Sequence, residues 1–383
     1  MSSDVEVLQD TPEIDPAKYG RVGRLYHGLT KVDFVGRRRV WFSISIVIIV
    51  VGMASLGVRG FNLGIDFKGG SSWEVLAPNT TVASVTSAVS KAGLTNFNIE
   101  KLGSDTYQVT ANINSLSPSQ QGTETTNVVN ALAKVAHVRP YQVSTSNVGP
   151  TWGSQITSKA VEALIVFFVA VVAYISMRFE PKMAAAAFIA MVHDLLVTVG
   201  VYSVFGFQIT PNTVIAILTI LGYSLYDTVV VFDRVRDNTN GVLKGGDLTY
   251  SDMVNLSMNQ TLARSINTSL VAILPVLAVL LIGADLLGAT TLQDYGLALF
   301  VGLMSGAYSS IFIASPLLAW MKEREPRYRE LASRVLARGD RRVLTATTAA
   351  RLGAQPVASN TRRSRAGSTP RTIEARARKP KRR

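Results

Sequence analysis

The sequence predicts a polytopic α-helical membrane protein with six transmembrane helices. A small α+β domain, extracytoplasmic and ferredoxin-like, is predicted between helices 1 and 2. Almost half of the 383 residues are hydrophobic and only 17% are charged, which is apolar for a soluble protein. The apolar residues gather into six runs, and the one long polar segment between two runs, 59–157, carries strand and helix patterns.

The six runs are long enough to span a bilayer. A hydrocarbon core of ~30 Å requires about 20 apolar helical residues. The first run, which contains no charged residue, lies behind a polar leader and is too long for a cleaved signal peptide, so we expect a signal-anchor. The runs are 40–58, 158–177, 183–205, 211–232, 265–283 and 296–320.

The distribution of Lys and Arg predicts the orientation of the chain. Basic residues precede the first run, lie between runs two and three and runs four and five, and follow run six. The short loops 206–210 and 284–295 contain none. By the positive-inside rule, both termini are cytoplasmic and segment 59–157 is outside. The predicted divisions are a leader (1–39), helix 1 (40–58), the outer domain (59–157), helices 2–6 (158–321) and a tail (322–383).

The outer segment has the pattern of a single small domain. Its alternating segments predict strands, and its segments with helical spacing predict helices, in the order βαββαβ. That order suggests a ferredoxin-like fold. The predicted strands are 72–77, 96–103, 105–114 and 139–149, and the predicted helices are 81–93 and 123–136.

Composition argues against several classes of site. There are no cysteines and three histidines, which excludes disulfides and thiolate sites and leaves too few ligands for a typical histidine metal site. We expect no cofactor, no metal and no enzymatic activity. The tail 322–383 holds 19 Lys/Arg against 5 Asp/Glu. It is typical of a solvated, disordered tail that enforces topology, with contact to anionic lipid or RNA as the alternative; we expect no specific nucleic-acid partner.

Asp227 is the strongest functional candidate. It lies about 15 residues into the fourth run, roughly 22 Å from the start of that run. An ionisable residue at that depth costs ~2.5 kcal/mol or more, so it usually faces a bundle interior and marks an ion path. Tyr223 lies one turn earlier and Arg234 lies two turns later on the same face. The alternative is a structural hydrogen bond to a neighbouring helix.

Three further residues are candidates near Asp227. Arg264 opens the fifth run and would begin on the side where Asp227 lies, so it is either part of a proton relay or a topological anchor. His193 and Asp194 lie ten residues into the third run. Asp194 is either a structural residue that hydrogen-bonds a neighbouring helix or a second relay carboxylate.

Two glycine motifs predict close approaches of the backbone. The glycines of GIDFKGG, residues 64–70, suggest a tight entry into the outer domain after the first run. Gly302 and Gly306 form a GxxxG in the sixth run, which favours close helix packing.

The sequence resembles the SecF subunit of the bacterial SecD–SecF complex over residues 38–322. The residues that carry the resemblance are GIDFKGG, the VHD containing Asp194, YSLYDTVVVFDRVRDN around Asp227, and NQTLARSINTSL around Arg264. The resemblance implies a partner of SecD in an RND-like assembly beside the SecY channel, which assists late steps of preprotein export with the proton motive force. It places the proton-pathway aspartate at Asp227 and the arginine of the fifth helix at Arg264. Tyr226 stands where relatives usually have Asn.

Other functions remain open on the residues alone. An RND-like exporter of lipids or small molecules would use the same relay. An intramembrane aspartyl protease would use Tyr226-Asp227 with Asp194, but the chain contains no GxGD motif. A passive scaffold for the partner subunit would not need Asp227.

Overall fold

The computed structural model describes residues 20, 23, 25, 30, 32–241, 248–286 and 290–337. Most of the predicted leader and of the basic tail lies outside these residues. The elements in chain order are α1 (Arg38–Arg59), α2 (Ile65–Lys68), β1 (Gly70–Leu76), α3 (Val82–Lys91), β2 (Phe97–Leu102), β3 (Thr106–Ala111), α4 (Pro118–Ala136), β4 (Ser144–Val148), α5 (Pro150–Arg178), α6 (Pro181–Phe205), α7 (Pro211–Gly241), α8 (Tyr250–Ala278), α9 (Thr290–Ser309), α10 (Ser315–Lys322) and α11 (Pro326–Ala337).

Six helical segments are long and apolar enough to cross a membrane, which confirms the predicted number. The first four are α1, α5, α6 and α7. The fifth runs from α8 into a π-helical stretch at Val279–Leu286, and the sixth runs through α9, a π-helical turn at Ser310–Ala314 and α10. The fifth begins at Tyr250, well before the predicted start at residue 265. The added turns are polar: Asn255 and Asn259 hydrogen-bond the backbone of residues 32–35.

The segment between α1 and α5 folds into an antiparallel sheet with the strand order β2-β3-β1-β4. Helices α3 and α4 cover one face, where Trp73, Tyr107 and Leu132 are buried in a shared core. Alternate residues of the strands, among them Ser72 and Gln108, turn to the other face and line a polar cavity of about 370 Å³. This α+β domain therefore presents a polar sheet face to the helix bundle. We call that side of the bundle the domain end.

The connection from α1 into the domain explains the GIDFKGG motif. Leu63 forms a parallel bridge with Ile209 in the loop between α6 and α7. The Asn62 side chain donates to Glu100 Oε1 (2.7 Å) on β2 and to the Gly206 carbonyl (2.9 Å). Gly70 has φ +138°, and a Cβ there would lie 2.8 Å from the Ala111 carbonyl oxygen, so a larger residue could not start β1.

Glycines set the closest helix crossings. A Cβ at Gly52 would lie 2.5 Å from Gly200 Cα, so α1 and α6 touch through their backbones. A Cβ at Gly306 would lie 3.0 Å from Ser224 Cβ, which shows how closely the sixth span packs on α7. The predicted role of the GxxxG at Gly302 and Gly306 in helix packing is confirmed. Small residues at such crossings allow polar side chains to meet between helices.

Candidate functional site

Asp227 is buried between three helices. It lies on α7, its side chain is 2% exposed, and Ser265 of α8 donates a hydrogen bond of 2.9 Å to its Oδ1. Its Oδ2 is buried and has no hydrogen-bond partner among the described residues. The next residue, Thr228, donates to Ser310 Oγ (3.1 Å) in the π-helical turn of the sixth span. The Asp227 carboxylate is therefore removed from solvent but only half satisfied.

Asp194 has the opposite environment. It lies on α6, is fully buried, and receives hydrogen bonds on both carboxylate oxygens. His193 Nδ1 lies 3.1 Å from its Oδ1. The other donors are three serine hydroxyls: Ser224 of α7 at 2.5 Å, Ser305 at 2.8 Å and Ser309 at 2.7 Å, the last two on α9.

The two carboxylates are connected through α7 and the sixth span. Ser224, which donates to Asp194, lies three residues before Asp227 on the same helix. Its carbonyl accepts a hydrogen bond of 3.5 Å from Ser310, which also accepts from Thr228. A π-helical turn inside an α-helix often marks a functional site, and here it supplies Ser310. Ser224, Thr228 and Ser310 therefore form a hydrogen-bonded row that passes beside both carboxylates.

The contrast in hydrogen bonding decides what each carboxylate can do. Both oxygens of the Asp194 carboxylate are satisfied by serine hydroxyls, and one of them also faces His193 Nδ1. A single donor at Asp227 leaves room for a proton on Oδ2. Buried and partly satisfied polar groups are typical of sites that change state.

The structure places the other candidates apart from this centre. Arg264 is exposed on α8 and makes no ion pair within 4 Å in the described parts of the chain; its neighbour Ser265 is the residue that contacts Asp227. Arg234 is exposed and donates to Gln260 (2.6 Å). The Tyr223 hydroxyl is buried without a hydrogen-bond partner among the described residues.

The serines that surround the two carboxylates were not among the candidate residues predicted from the sequence. Isolated serines are common in membrane helices, and only their convergence on a carboxylate gives them meaning. The signal was the spacing: Ser305 and Ser309 are one turn apart on the sixth span and therefore share a face. Ser265, directly after Arg264, carried no such signal.

A second group of carboxylates lies at the domain end. Asp66, Glu74 and Asp294 line the cavity beneath the sheet. Burial raises the pKa of Asp66 and of Glu100, although hydrogen bonds from Asn62 and Asn98 oppose the shift at Glu100. The entrance to the bundle on this side is therefore polar and acidic.

Comparisons with family models and with known proteins all identify the same family. Residues 127–324 match the model for the protein export membrane protein SecD/SecF, C-terminal, and residues 54–75 match the SecD/SecF GG motif. The protein translocase subunit SecF of Streptomyces coelicolor is 44% identical over 326 residues, which cover 84% of this chain and 85% of that protein. SecF of Mycobacterium leprae is 44% identical over 334 residues, which cover 84% of this chain and 70% of that protein.

Solved structures agree with the sequence comparisons. The crystal structure of SecDF from Thermus thermophilus, a translocon-associated membrane protein, superposes with a TM-score of 0.66 at 30% identity, covering 78% of this chain and 39% of that one. SecDF in its super-membrane-facing form gives a TM-score of 0.56 at 29% identity, and the match covers 80% of this chain and 40% of that one. The motifs GIDFKGG and YSLYDTVVVFDRVRDN thus lie in a protein whose fold and sequence both match this family. The chain belongs to the SecD/SecF family of protein-export membrane proteins and is a SecF-type translocase subunit.

Proposed function

We propose that this chain is an accessory subunit of the Sec translocase that assists late steps of preprotein export with the proton motive force. The observation that carries the proposal is Asp227, a carboxylate in the middle of a membrane span with one hydrogen bond and one bare oxygen. A structural residue at this cost is expected to be fully satisfied, as Asp194 is. The site of Asp227 can therefore accommodate both the protonated and the ionised carboxyl group.

The energy available to such a relay is sufficient for a conformational change. A proton that crosses ~150 mV releases about 3.5 kcal/mol, at 2.3 kcal/mol per charge per 100 mV. When Asp227 is neutral, its Oδ2 carries the proton and Ser265 bonds Oδ1. When it is ionised, the carboxylate needs further donors, and Ser310, which accepts the Thr228 hydroxyl in the π-helical turn of the sixth span, is a candidate. The change in hydrogen bonding couples protonation to the packing of α7 against α8 and the sixth span.

Arg264 has a supporting role in this proposal. Its guanidinium is exposed one residue before Ser265, and a rotation of α8 would exchange the serine for the arginine beside Asp227. A positive charge there attracts the proton-free carboxylate and completes the release step. Tyr223 and Arg234 are auxiliary candidates, the first for its buried and unpaired hydroxyl, the second for its position at the end of the same helix face.

The partners follow from the relatives. A fused SecDF relative from Thermus thermophilus is 31% identical over 301 residues, and this chain covers 39% of it. We infer that the remaining part is supplied here by a SecD subunit, with the SecY channel, the translocating preprotein and membrane lipid as further partners. In the bacterial cytoplasmic membrane, both termini would then be cytoplasmic and the α+β domain outside. The strand order β2-β3-β1-β4 supports a ferredoxin-like assignment for that domain.

The experiment that tests this function uses membrane vesicles that contain the full complex. Translocation of a preprotein is measured with and without a proton motive force. Asp227→Asn is expected to abolish the stimulation by the proton motive force and to leave assembly with the partner intact. The matched control is Asp233→Asn on the same helix, a half-buried residue that pairs with Arg178 and Arg236. Full stimulation in Asp227→Asn would contradict the proposal and favour a passive scaffold.

A further inference from the structure

His193 and Asp194 form a buried pair whose charge the relay at Asp227 does not explain. His193 is 7% exposed, and Asp194 is inaccessible to solvent. The Nδ1 of His193 faces Asp194 Oδ1 at 3.1 Å, and its Nε2 is buried without a hydrogen-bond partner among the described residues. The pair lies in the centre of α6, which is the third membrane span.

The serine hydroxyls around Asp194 do not neutralise its charge. A buried carboxylate in a low-dielectric interior is paired with a cation or holds a proton. In the described part of the chain, no Lys or Arg nitrogen lies within 4 Å of Asp194, and the only ion-pair partner is His193. Within the described residues, the charge of Asp194 can be compensated by a proton on the imidazole or removed by a proton on the carboxyl group itself.

The Tyr308 ring lies against the imidazole, with centroids 6.2 Å apart and planes 28° apart. Tyr308 is itself fixed by a hydrogen bond of 2.9 Å to the Trp41 carbonyl and by Ser45 of α1 at 3.4 Å. Ser224 of α7 and the serines of α9 approach the pair only as neutral donors to Asp194.

We propose that His193 and Asp194 share one proton in the resting protein, so that His193 is a second proton-holding residue of the bundle. The pair is then neutral overall. Loss of the proton would leave a bare charge on Asp194 and strengthen its hold on Ser224, three residues from Asp227 on the same helix. The use of this proton in export rests on the proposed function; its presence does not.

Nitrogen NMR of the full-length protein tests the shared proton directly. The chain has only three histidines, so selective ¹⁵N-histidine labelling gives a simple spectrum, and His193→Gln identifies the signals. We expect His193 at pH 7 to show the shifts of an imidazolium, or of an imidazole sharing its proton, and to lose them in Asp194→Asn. A neutral imidazole with the same spectrum in the wild type and in Asp194→Asn would overturn the proposal.

Export assays show whether this proton is used. Stimulation by the proton motive force is expected to fall about tenfold in His193→Gln, with a changed pH profile and unchanged assembly. His137→Asn in the α+β domain is the matched control, since His137 has φ +55° and Asn tolerates that conformation. An unchanged rate and pH profile in His193→Gln would overturn the role in export. A failure of Asp227→Asn to affect export would leave the NMR result standing.

Discussion

At the scale of single residues, two carboxylates in one helix bundle differ in the number of their donors. Asp194 receives three serine hydroxyls and a histidine, whereas Asp227 receives one serine hydroxyl. Both are buried at a cost that membrane helices rarely accept. The difference leaves Asp227 as the less satisfied of the two carboxylates and makes Asp194 part of a hydrogen-bonded cluster.

Ser265 is expected to set the behaviour of Asp227. Ser265→Ala removes the hydrogen bond that Ser265 donates to Asp227 Oδ1, and a hydrogen bond to a charged group contributes about 1.5–3 kcal/mol. The ionised state is therefore destabilised relative to the protonated state, and export driven by the proton motive force should fall roughly tenfold or more. The measurement is the rate of translocation into energised vesicles.

Ser269→Ala provides the control for Ser265→Ala. Ser269 lies one turn further along α8, and its hydroxyl is buried without a hydrogen-bond partner among the described residues. Its hydroxyl makes no hydrogen bond to Asp227, so its removal should leave the rate near that of the wild type. Equal effects of the two substitutions would show that packing, and not the hydrogen bond, controls the rate.

At the scale of elements, the crossing of α1 and α6 depends on two glycines. A side chain at Gly52 would overlap the backbone of Gly200, so Gly52→Ala must push the helices apart. We expect a loss of about 1–3 kcal/mol in the free energy of unfolding, the usual cost of overpacking. Gly57→Ala on the same helix is the control, because a Cβ there has no neighbour within 4 Å. The thermal unfolding midpoint in detergent measures both, and equal midpoints would contradict the crossing.

The attachment of α11 at the other end of the bundle is predicted to be sensitive to acid. Glu325 accepts from Lys182 at 3.0 Å and lies 3.4 Å from Lys322, which also pairs with Glu180. Burial by itself raises the pKa of Glu325, but the hydrogen bond from Lys182 and the charge of Lys322 outweigh it, so the pKa lies below its usual value.

The sign of the pH effect follows from that lowered pKa. The ionised form is favoured in the folded protein, so the stabilisation is complete above the ordinary pKa of 4.5 and is lost as pH falls through the lower, folded value. The unfolding midpoint should therefore drop on acidification below about pH 4.5, and Glu325→Gln should make this part of the drop smaller. Glu330→Gln, at an exposed position of α11, should leave the profile unchanged.

At the scale of the whole molecule, hydrophobicity predicted the six spans because length and apolar composition alone decide which helices can cross a bilayer. The start of α8 was predicted too late, because its first turns are polar and bind residues 32–35 instead of lipid. The alternation of the outer segment predicted its strands, but α4 begins at Pro118 rather than near 123, since Ser117 and Gln120 form a capping box.

The candidate site was predictable only in part. A carboxylate inside an apolar run is visible in the sequence, so Asp194 and Asp227 were found. Their partners depend on how helices rotate and cross, which a single sequence does not define. Ser265 rather than Arg264 therefore contacts Asp227, and the serines around Asp194 became evident only when three helices were brought together.

The central claim is that Asp227 takes up and releases a proton as the complete complex works. The most direct measurement is proton flux into proteoliposomes that contain this chain with its SecD-type partner, followed with an internal pH dye under an imposed gradient. The wild type and Asp233→Asn are expected to conduct protons at similar rates, and Asp227→Asn is expected to conduct none above empty vesicles. Proton flux in Asp227→Asn equal to that of the wild type would contradict the account.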